Sequence, residues 1–391
     1  MIIPYGRQNI SQDDIEAVEC VLRSDFLTQG SVVTRFEREV AAYCGAQRGV
    51  AANSATSALH LACLALGVSP GDRVWTTPIT FVASANCAAY CGASIDFVDI
   101  DSQTYNMDAS ALEEKLNRAE QAGELPKVVI PVHMCGQSCE MDRINELAQQ
   151  FGFKVIEDAS HAIGGRYKDK PVGSCSYSDI TVFSFHPVKI ITTGEGGMAL
   201  TNDPGLAATM ERLRSHGITR DPAEMSEAPD GPWFYQQIDL GFNFRMTEIQ
   251  AALGLSQLSR LDQFVAKRHA LADEYDRILT PDIASVPVRH PETYSSFHLY
   301  VVQLNLPSLG ATQKEIFERL RSHGIMANLH YIPLYRHPYY RSSGHADTRL
   351  AKAELYYSRA ITLPLFPGLE PEQQRQIVRK LTTPVGHQTI F

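Results

Sequence analysis

The chain has 391 residues, 44% of them apolar and 20% charged, with 35 basic side chains against 44 acidic ones for a net charge of −9. This is the composition of a globular protein with ample core, and its acidity disfavours nucleic acid or an anionic membrane as the main partner. The first residues carry no basic flank followed by an apolar stretch, no run of 18 uncharged apolar residues occurs, and the eight cysteines are scattered rather than framework-like; a cytoplasmic protein with reduced thiols is expected.

In chain order, an arm carrying Tyr5 precedes Ser11-Gln-Asp-Asp, which reads as the capped start of an amphipathic helix with Ile15, Val18 and Leu22 on its apolar face. Phe26-Leu-Thr-Gln-Gly30 is a polar loop, and such loops either close over ligands or merely connect helices. Gly49 to Ala62 runs from a strand into a helix through Ser54, Ala55, Thr56 and Ser57, small residues that let an anion approach free amides and that serve equally as ordinary caps. Val74–Thr77 and Ile95–Val98 read as strands around a helix from about Phe81 to Cys91, and Phe81 by itself reads as a core aromatic. Val128–Val132 is the next strand. It leads to His133, Cys135 and Cys139, whose spacing lacks a second ligand pair, so no metal is expected. A helix over Met141–Phe151 completes an alternating βα order and hence a largely parallel sheet.

The stretch from Phe153 to Asn202 carries the chemistry. Its apolar runs at 153–157, 180–185 and 198–201 read as buried strands, the first ending on Glu157 and Asp158. Between the second and third, Pro187, Gly194, Gly196 and Gly197 constrain a turn that holds Lys189. Taken singly, Asp158 reads rather as a helix N-cap or a magnesium ligand, and Lys189 as one more solvated lysine. Together they match what pyridoxal phosphate (PLP) needs: an amine to form the Schiff base and an acid to keep the pyridine nitrogen protonated.

Beyond it, Ile249–Tyr275 reads as one long helix, Phe297–Leu304 as a strand and Thr312–His323 as a capped helix.

Three segments in order, Glu157-Asp-Ala-Ser-His-Ala-Ile-Gly164, Ser184-Phe-His-Pro-Val-Lys189 and Thr193-Gly-Glu-Gly-Gly197, resemble the PLP-dependent sugar-nucleotide aminotransferases of fold type I. Gly241-Phe-Asn-Phe-Arg245 resembles a further segment of that family. The resemblance spans most of the chain. It implies an α/β fold: a large cofactor domain over 1–245 with a mostly parallel seven-stranded sheet, then a linking helix and smaller domain over 246–391.

The same resemblance implies that Lys189 anchors PLP and shuttles the proton, Asp158 stabilises the electron sink, and His161 lies near the ring's 3-oxygen. By it, Ser184 and Ala55 to Ser57 take the phosphate, Phe81 lies against the ring, and Asn243 reaches the phosphate of the neighbouring subunit in a homodimer with shared sites. His161 departs from the glutamine that many members carry. Tyr5, Leu27, Thr28, Gln29, Gly30, Ser54, Ser184, Asn243, His330, Tyr331, Ile332 and Pro333 match substrate-contacting positions of members that aminate a UDP-linked 4-keto-6-deoxy-N-acetylhexosamine for pseudaminic acid. L-Glutamate is the expected donor. The alternatives are another nucleotide-linked keto sugar (3-keto or dTDP-linked) and a non-catalytic PLP-binding regulator. Lys189 argues against the dehydratase branch, and the chain shows no basic stretch for a DNA-binding appendage.

Overall fold

Seven strands form the central sheet of the computed structural model, which describes residues 2–382. In chain order they are β1 (Arg48–Ala52), β2 (Arg73–Thr76), β3 (Ser94–Phe97), β4 (Val128–Ile130), β5 (Lys154–Asp158), β6 (Ile180–Ser184) and β7 (Gly197–Thr201). They lie side by side as β1-β7-β6-β5-β4-β2-β3. Only β7 runs against its neighbours; every other pairing in the sheet is parallel. Both faces are covered by helices, so β6 and β7 are buried along their whole length rather than alternating with solvent. β5 sits mid-sheet and opens its carboxyl end beside that of β6, where an open α/β sheet places its ligands.

The helices are α1 (Gln12–Leu22), α2 (Ser31–Cys44), α3 (Ala55–Ala65), α4 (Ala83–Tyr90), α5 (Ala109–Ala122), α6 (Met141–Phe151), α7 (Pro204–Arg214), α8 (Glu248–Leu258) and α9 (Leu261–Ile278). Ser11 and Asp14 close a capping box on α1, as the sequence predicts for that terminus. α6 buries Met141, Ile144, Leu147 and Phe151, a stripe at helical spacing, and stops at Gly152, whose φ of 78° suits a residue without a Cβ.

The single helix expected over Ile249–Tyr275 is two helices. Arg260 leaves helical geometry at φ −110°, ψ 6°, although no glycine or proline marks the break. The cause is tertiary. Asp14 of α1, fully buried, takes hydrogen bonds from Ser256 Oγ (2.6 Å) and Gln257 Nε2 (2.7 Å) and an ion pair from Arg260, which holds the turn. The Phe297–Leu304 strand is shorter than expected, Tyr300–Leu304, because Phe297 turns to φ 47°.

A second sheet, β8 (Ala284–Ser285), β9 (Tyr300–Leu304) and β10 (Ala360–Leu363), packs on a separate core. α9 joins the two: Leu261, Phe264 and Val265 belong to the first core, Leu271, Ala272 and Tyr275 to the second. The arm also crosses over. Ile3–Pro4 pairs in parallel with Ile325–Met326, and Ile3 is buried in the second core. Of the two expected domain spans, Met1 and residues 383–391 lie outside the described residues.

Candidate active site

The sheet delivers Asp158 at the end of β5 and Ser184 at the end of β6. Alternation along β5 turns Glu157 and Asp158 to opposite faces. Glu157 is consumed by structure: its carboxylate accepts from Ser178 Oγ (2.5 Å) and Thr181 Oγ1 (3.0 Å) and pairs with His133 Nε2 at 2.6 Å. Burial raises its proton affinity, but these partners outweigh burial and hold it below the usual carboxylate range. His133 is thereby committed to Glu157 and, through Nδ1, to the Cys139 backbone N–H at 3.1 Å.

Lys189 sits on the loop after β6. Thr192 Oγ1 and Thr193 N both bond the Phe185 carbonyl, Phe185, Ile190 and Ile191 are buried, and Gly194 takes φ 81° to close the turn. This presents the Lys189 amine to a cavity of about 530 Å³ whose wall also includes Asp158 and Ser184. Burial drives the amine down to about 8, and the Asp158 charge works against that fall. Asp158 is itself held by Ser84 Oγ at 2.6 Å and by the Ser160 N–H at 3.1 Å.

His161 and His330 line the same cavity, and His298 reaches Lys189 from outside its lining. His161 Nε2 lies 3.2 Å from the Tyr331 hydroxyl, while its Nδ1 is buried without a partner among the described residues. His330 is fixed by Thr362 Oγ1 at 2.9 Å and held neutral by burial and by Lys189, down to about 3. His298, from the turn before β9, places Nε2 3.5 Å from Lys189 Nζ. Burial and the Lys189 charge push His161 and His298 well below the ordinary imidazole value.

At the other end of the cavity is the N-terminus of α3. Ser54 caps it by accepting from the Ser57 N–H, and Ala55 and Thr56 line the cavity. β7 passes directly beneath, at Gly197, where a Cβ would stand 2.4 Å from the Ala55 nitrogen. Free amides at a helix start, on the cavity wall, make an anion site. Phe81 closes a side of the cavity with its ring 58% exposed, an apolar face open to a planar ligand.

The residues expected at the site divide into two groups. Tyr5, Ser54, Ala55, Thr56 and Phe81 line the cavity with Asp158 and His161, as do Ser184, Lys189, His330 and Tyr331. The rest do not line it within one chain. Ser57 is buried with its hydroxyl 2.7 Å from Asn53 Oδ1. Leu27, Thr28 and Gln29 are exposed, and their loop is tied to α8 by the Glu248 N–H to the Leu27 carbonyl at 2.9 Å; Gly30 caps α2. Asn243 is exposed, its carbonyl 3.4 Å from Asn53 Nδ2. Ile332 is 41% exposed and Pro333 is buried, both off the cavity wall. Sequence reasoning missed His298 and Ser84; a polar residue leading into the apolar strand 300–304 was the available signal for the first.

A buried amine of lowered proton affinity, a buried carboxylate, an anion-binding helix end and an exposed aromatic ring share one cavity. These are the parts that a pyridine aldehyde phosphate requires, and the unpartnered His161 Nδ1 leaves a donor or acceptor for it. The family model for DegT/DnrJ/EryC1/StrS aminotransferases matches residues 8–382. The chain belongs to that family. This sugar aminotransferase is PLP-dependent, and its relatives include proteins named as transaminases. The UDP-4-amino-4,6-dideoxy-N-acetyl-beta-L-altrosamine transaminase of Campylobacter jejuni is 37% identical over 365 residues, 93% of this chain and 92% of the relative. Helicobacter pylori PseC, an aminotransferase involved in the biosynthesis of pseudoaminic acid, superimposes with a TM-score of 0.87 at 32% identity, covering 97% of this chain and 98% of that one. The PLP-form of the putative sugar aminotransferase Spr1654 from Streptococcus pneumoniae gives a TM-score of 0.86 at 30% identity, covering 98% of both chains, and PMP- and apo-forms of it are also solved.

Proposed function

We propose that this aminotransferase carries the amino group of L-glutamate to the C4 ketone of a UDP-linked 4-keto-6-deoxy-N-acetylhexosamine, for pseudaminic acid. One observation carries the reading: Tyr5 from the arm and His330 and Tyr331 from the second lobe line the same cavity as Lys189 and Asp158. Substrate-contacting positions of the resembled members thus stand beside the reactive amine. The likeness to the Campylobacter transaminase supports the choice of sugar.

In this reading Lys189 would hold the cofactor, and its free amine would move a proton with Nζ. Bound there, PLP supplies the electron sink that makes an α-proton of the donor acidic. Asp158, its carboxylate oriented by Ser84, would pair with the ring nitrogen. Phe81 would lie against the ring and His161 would be near the 3-oxygen. Ser184 and the start of α3 at Ala55 and Thr56 would receive the phosphate, while Ser57, expected there too, is engaged by Ser54 and Asn53. Asn243 and Leu27 to Gly30 lie off their own cavity and serve that of a second copy, so the working unit is a homodimer. Eight unpaired cysteines fit a cytoplasmic setting; among the described residues no helix is long and apolar enough to cross a membrane.

The test is a substrate panel: UDP-, dTDP- and GDP-linked 3-keto and 4-keto 6-deoxy sugars, each with PLP and glutamate, the products assigned by NMR. Preferred turnover of UDP-2-acetamido-2,6-dideoxy-β-L-arabino-hexos-4-ulose to its 4-amino product is expected. Preference for another nucleotide, or amination at C3, overturns the choice of sugar.

A further inference from the structure

His298 and Lys189 come from different lobes, one from the turn before β9 and the other from the loop after β6, yet they meet at 3.5 Å. A second buried group lies behind the histidine. Arg268 of α9 is 1% exposed, and its Nη1 bonds three carbonyls, those of Phe297, His298 and Leu365, each at 3.1 Å. Its charge is met by these carbonyls, and among the described residues no carboxylate pairs with it, so it fixes the backbone at His298 while remaining a cation next to it.

We propose that His298 is a positioning residue for the Lys189 amine: its Nε2 lone pair accepts a hydrogen bond from Nζ, fixing the direction of the amine and its readiness to release a proton. The inference rests on the reading of Lys189 as the cofactor-bearing residue. An ammonium can only donate, so Nε2 must be unprotonated and the ring proton must sit on Nδ1. Nδ1 is buried and has no partner among the described residues, so no competing acceptor there draws the ring into another orientation. The groups around the pair are Asp158 from the end of β5, His161 just beyond it, His186 on the Lys189 loop, His330 from the second lobe and Arg268 behind, with Glu195 and Tyr331 on the same cavity wall. Asp158 is the acid whose charge reaches Lys189. Two cations, Lys189 and Arg268, disfavour an imidazolium at His298, and burial acts in the same direction. A neutral acceptor beside the amine favours its protonated form, against the burial that brings Lys189 to about 8.

Two measurements on the cofactor-free full chain decide the matter. Competitive trace labelling of Lys189 with acetic anhydride across pH, read by mass spectrometry, gives the amine's titration directly. In His298→Leu the midpoint is expected to fall by about one pH unit, the loss of one charge-assisted acceptor, and in His298→Gln to stay near wild type. A folded His298→Leu with an unmoved midpoint overturns the proposal. Nitrogen-15 imidazole spectra of the wild-type protein need no substitution: the Nδ1–H tautomer is expected at His298, and an Nε2–H tautomer or an imidazolium at neutral pH overturns it. Neither readout depends on the cofactor, whereas the identity of the cofactor-bearing lysine is decided separately by reductive trapping.

Discussion

Ser84 on α4 donates a 2.6 Å hydrogen bond to Asp158 Oδ2 at the end of β5, and Thr80 Oγ1 stands 2.7 Å behind the serine. The acid expected to pair with the cofactor ring is therefore aimed by a neighbouring helix as well as by its own strand. Ser84→Ala should lower kcat about tenfold, the worth of roughly one charge-assisted hydrogen bond, with little change in Tm. Asp158→Asn should cost at least about a hundredfold, because an amide cannot stabilise a protonated ring nitrogen. Steady-state kinetics of both variants check the order; an Asp158→Asn enzyme as active as Ser84→Ala would contradict the assignment.

Glu157, one residue earlier, should behave in the opposite way. Its removal leaves His133, Ser178 and Thr181 without their acceptor, so Glu157→Leu should destabilise by about 3 kcal/mol or more in urea unfolding. The folded protein holds this carboxylate below its usual range, so its contribution is present at neutral pH and is lost as pH falls through the folded-state value. The gap in stability between wild type and variant should close in acid. A gap that widens there would mean the glutamate is protonated in the folded state.

The Lys189 amine, lowered by burial to about 8, must shed its proton before it can attack an aldehyde. Capture of PLP by the cofactor-free protein, followed by stopped-flow absorbance, should accelerate as pH rises from 6 and level off above about 8. A rate still climbing toward 10, where an ordinary lysine titrates, would show an amine that the fold leaves unperturbed.

How much of this the sequence disclosed follows from which interactions are local. The sheet strands, the α1 cap and the turn around Lys189 are written in runs, caps and glycines of a few residues, and they emerge as read. The break at Arg260 depends on Asp14, some 240 positions away, and no local signal marks it. His298 and Ser84 escaped for the same reason: each matters through a partner more than 70 residues distant, Lys189 and Asp158 respectively. Asn243 and the loop at Leu27 to Gly30 resemble site residues yet stand off the cavity of their own chain, so their role rests on the proposed second copy.

That sharing has its own test. Lys189→Ala and Asn243→Ala, each nearly inactive alone, should recover activity when their subunits are exchanged, since one of the two sites in a mixed dimer would then be intact. Demonstrated exchange without recovery would remove Asn243 from the neighbour's site.

Gly197 offers a steric check on the proposed phosphate end of the cavity. An added Cβ would meet the Ala55 nitrogen at 2.4 Å, so Gly197→Ala must push β7 and the start of α3 apart. A loss of PLP affinity of about tenfold or more is expected by equilibrium dialysis, out of proportion to the change in KM for the sugar. Unchanged PLP affinity in a folded variant would take the phosphate away from α3.

Lys189 as the residue that carries the cofactor is the claim on which the rest depends, and borohydride reduction followed by peptide mapping tests it most directly. The wild-type protein incubated with PLP should yield one modified peptide, labelled at Lys189, and Lys189→Ala should show neither the yellow absorbance nor any fixed cofactor. Covalent trapping on another lysine in that variant, at wild-type stoichiometry, would contradict the account.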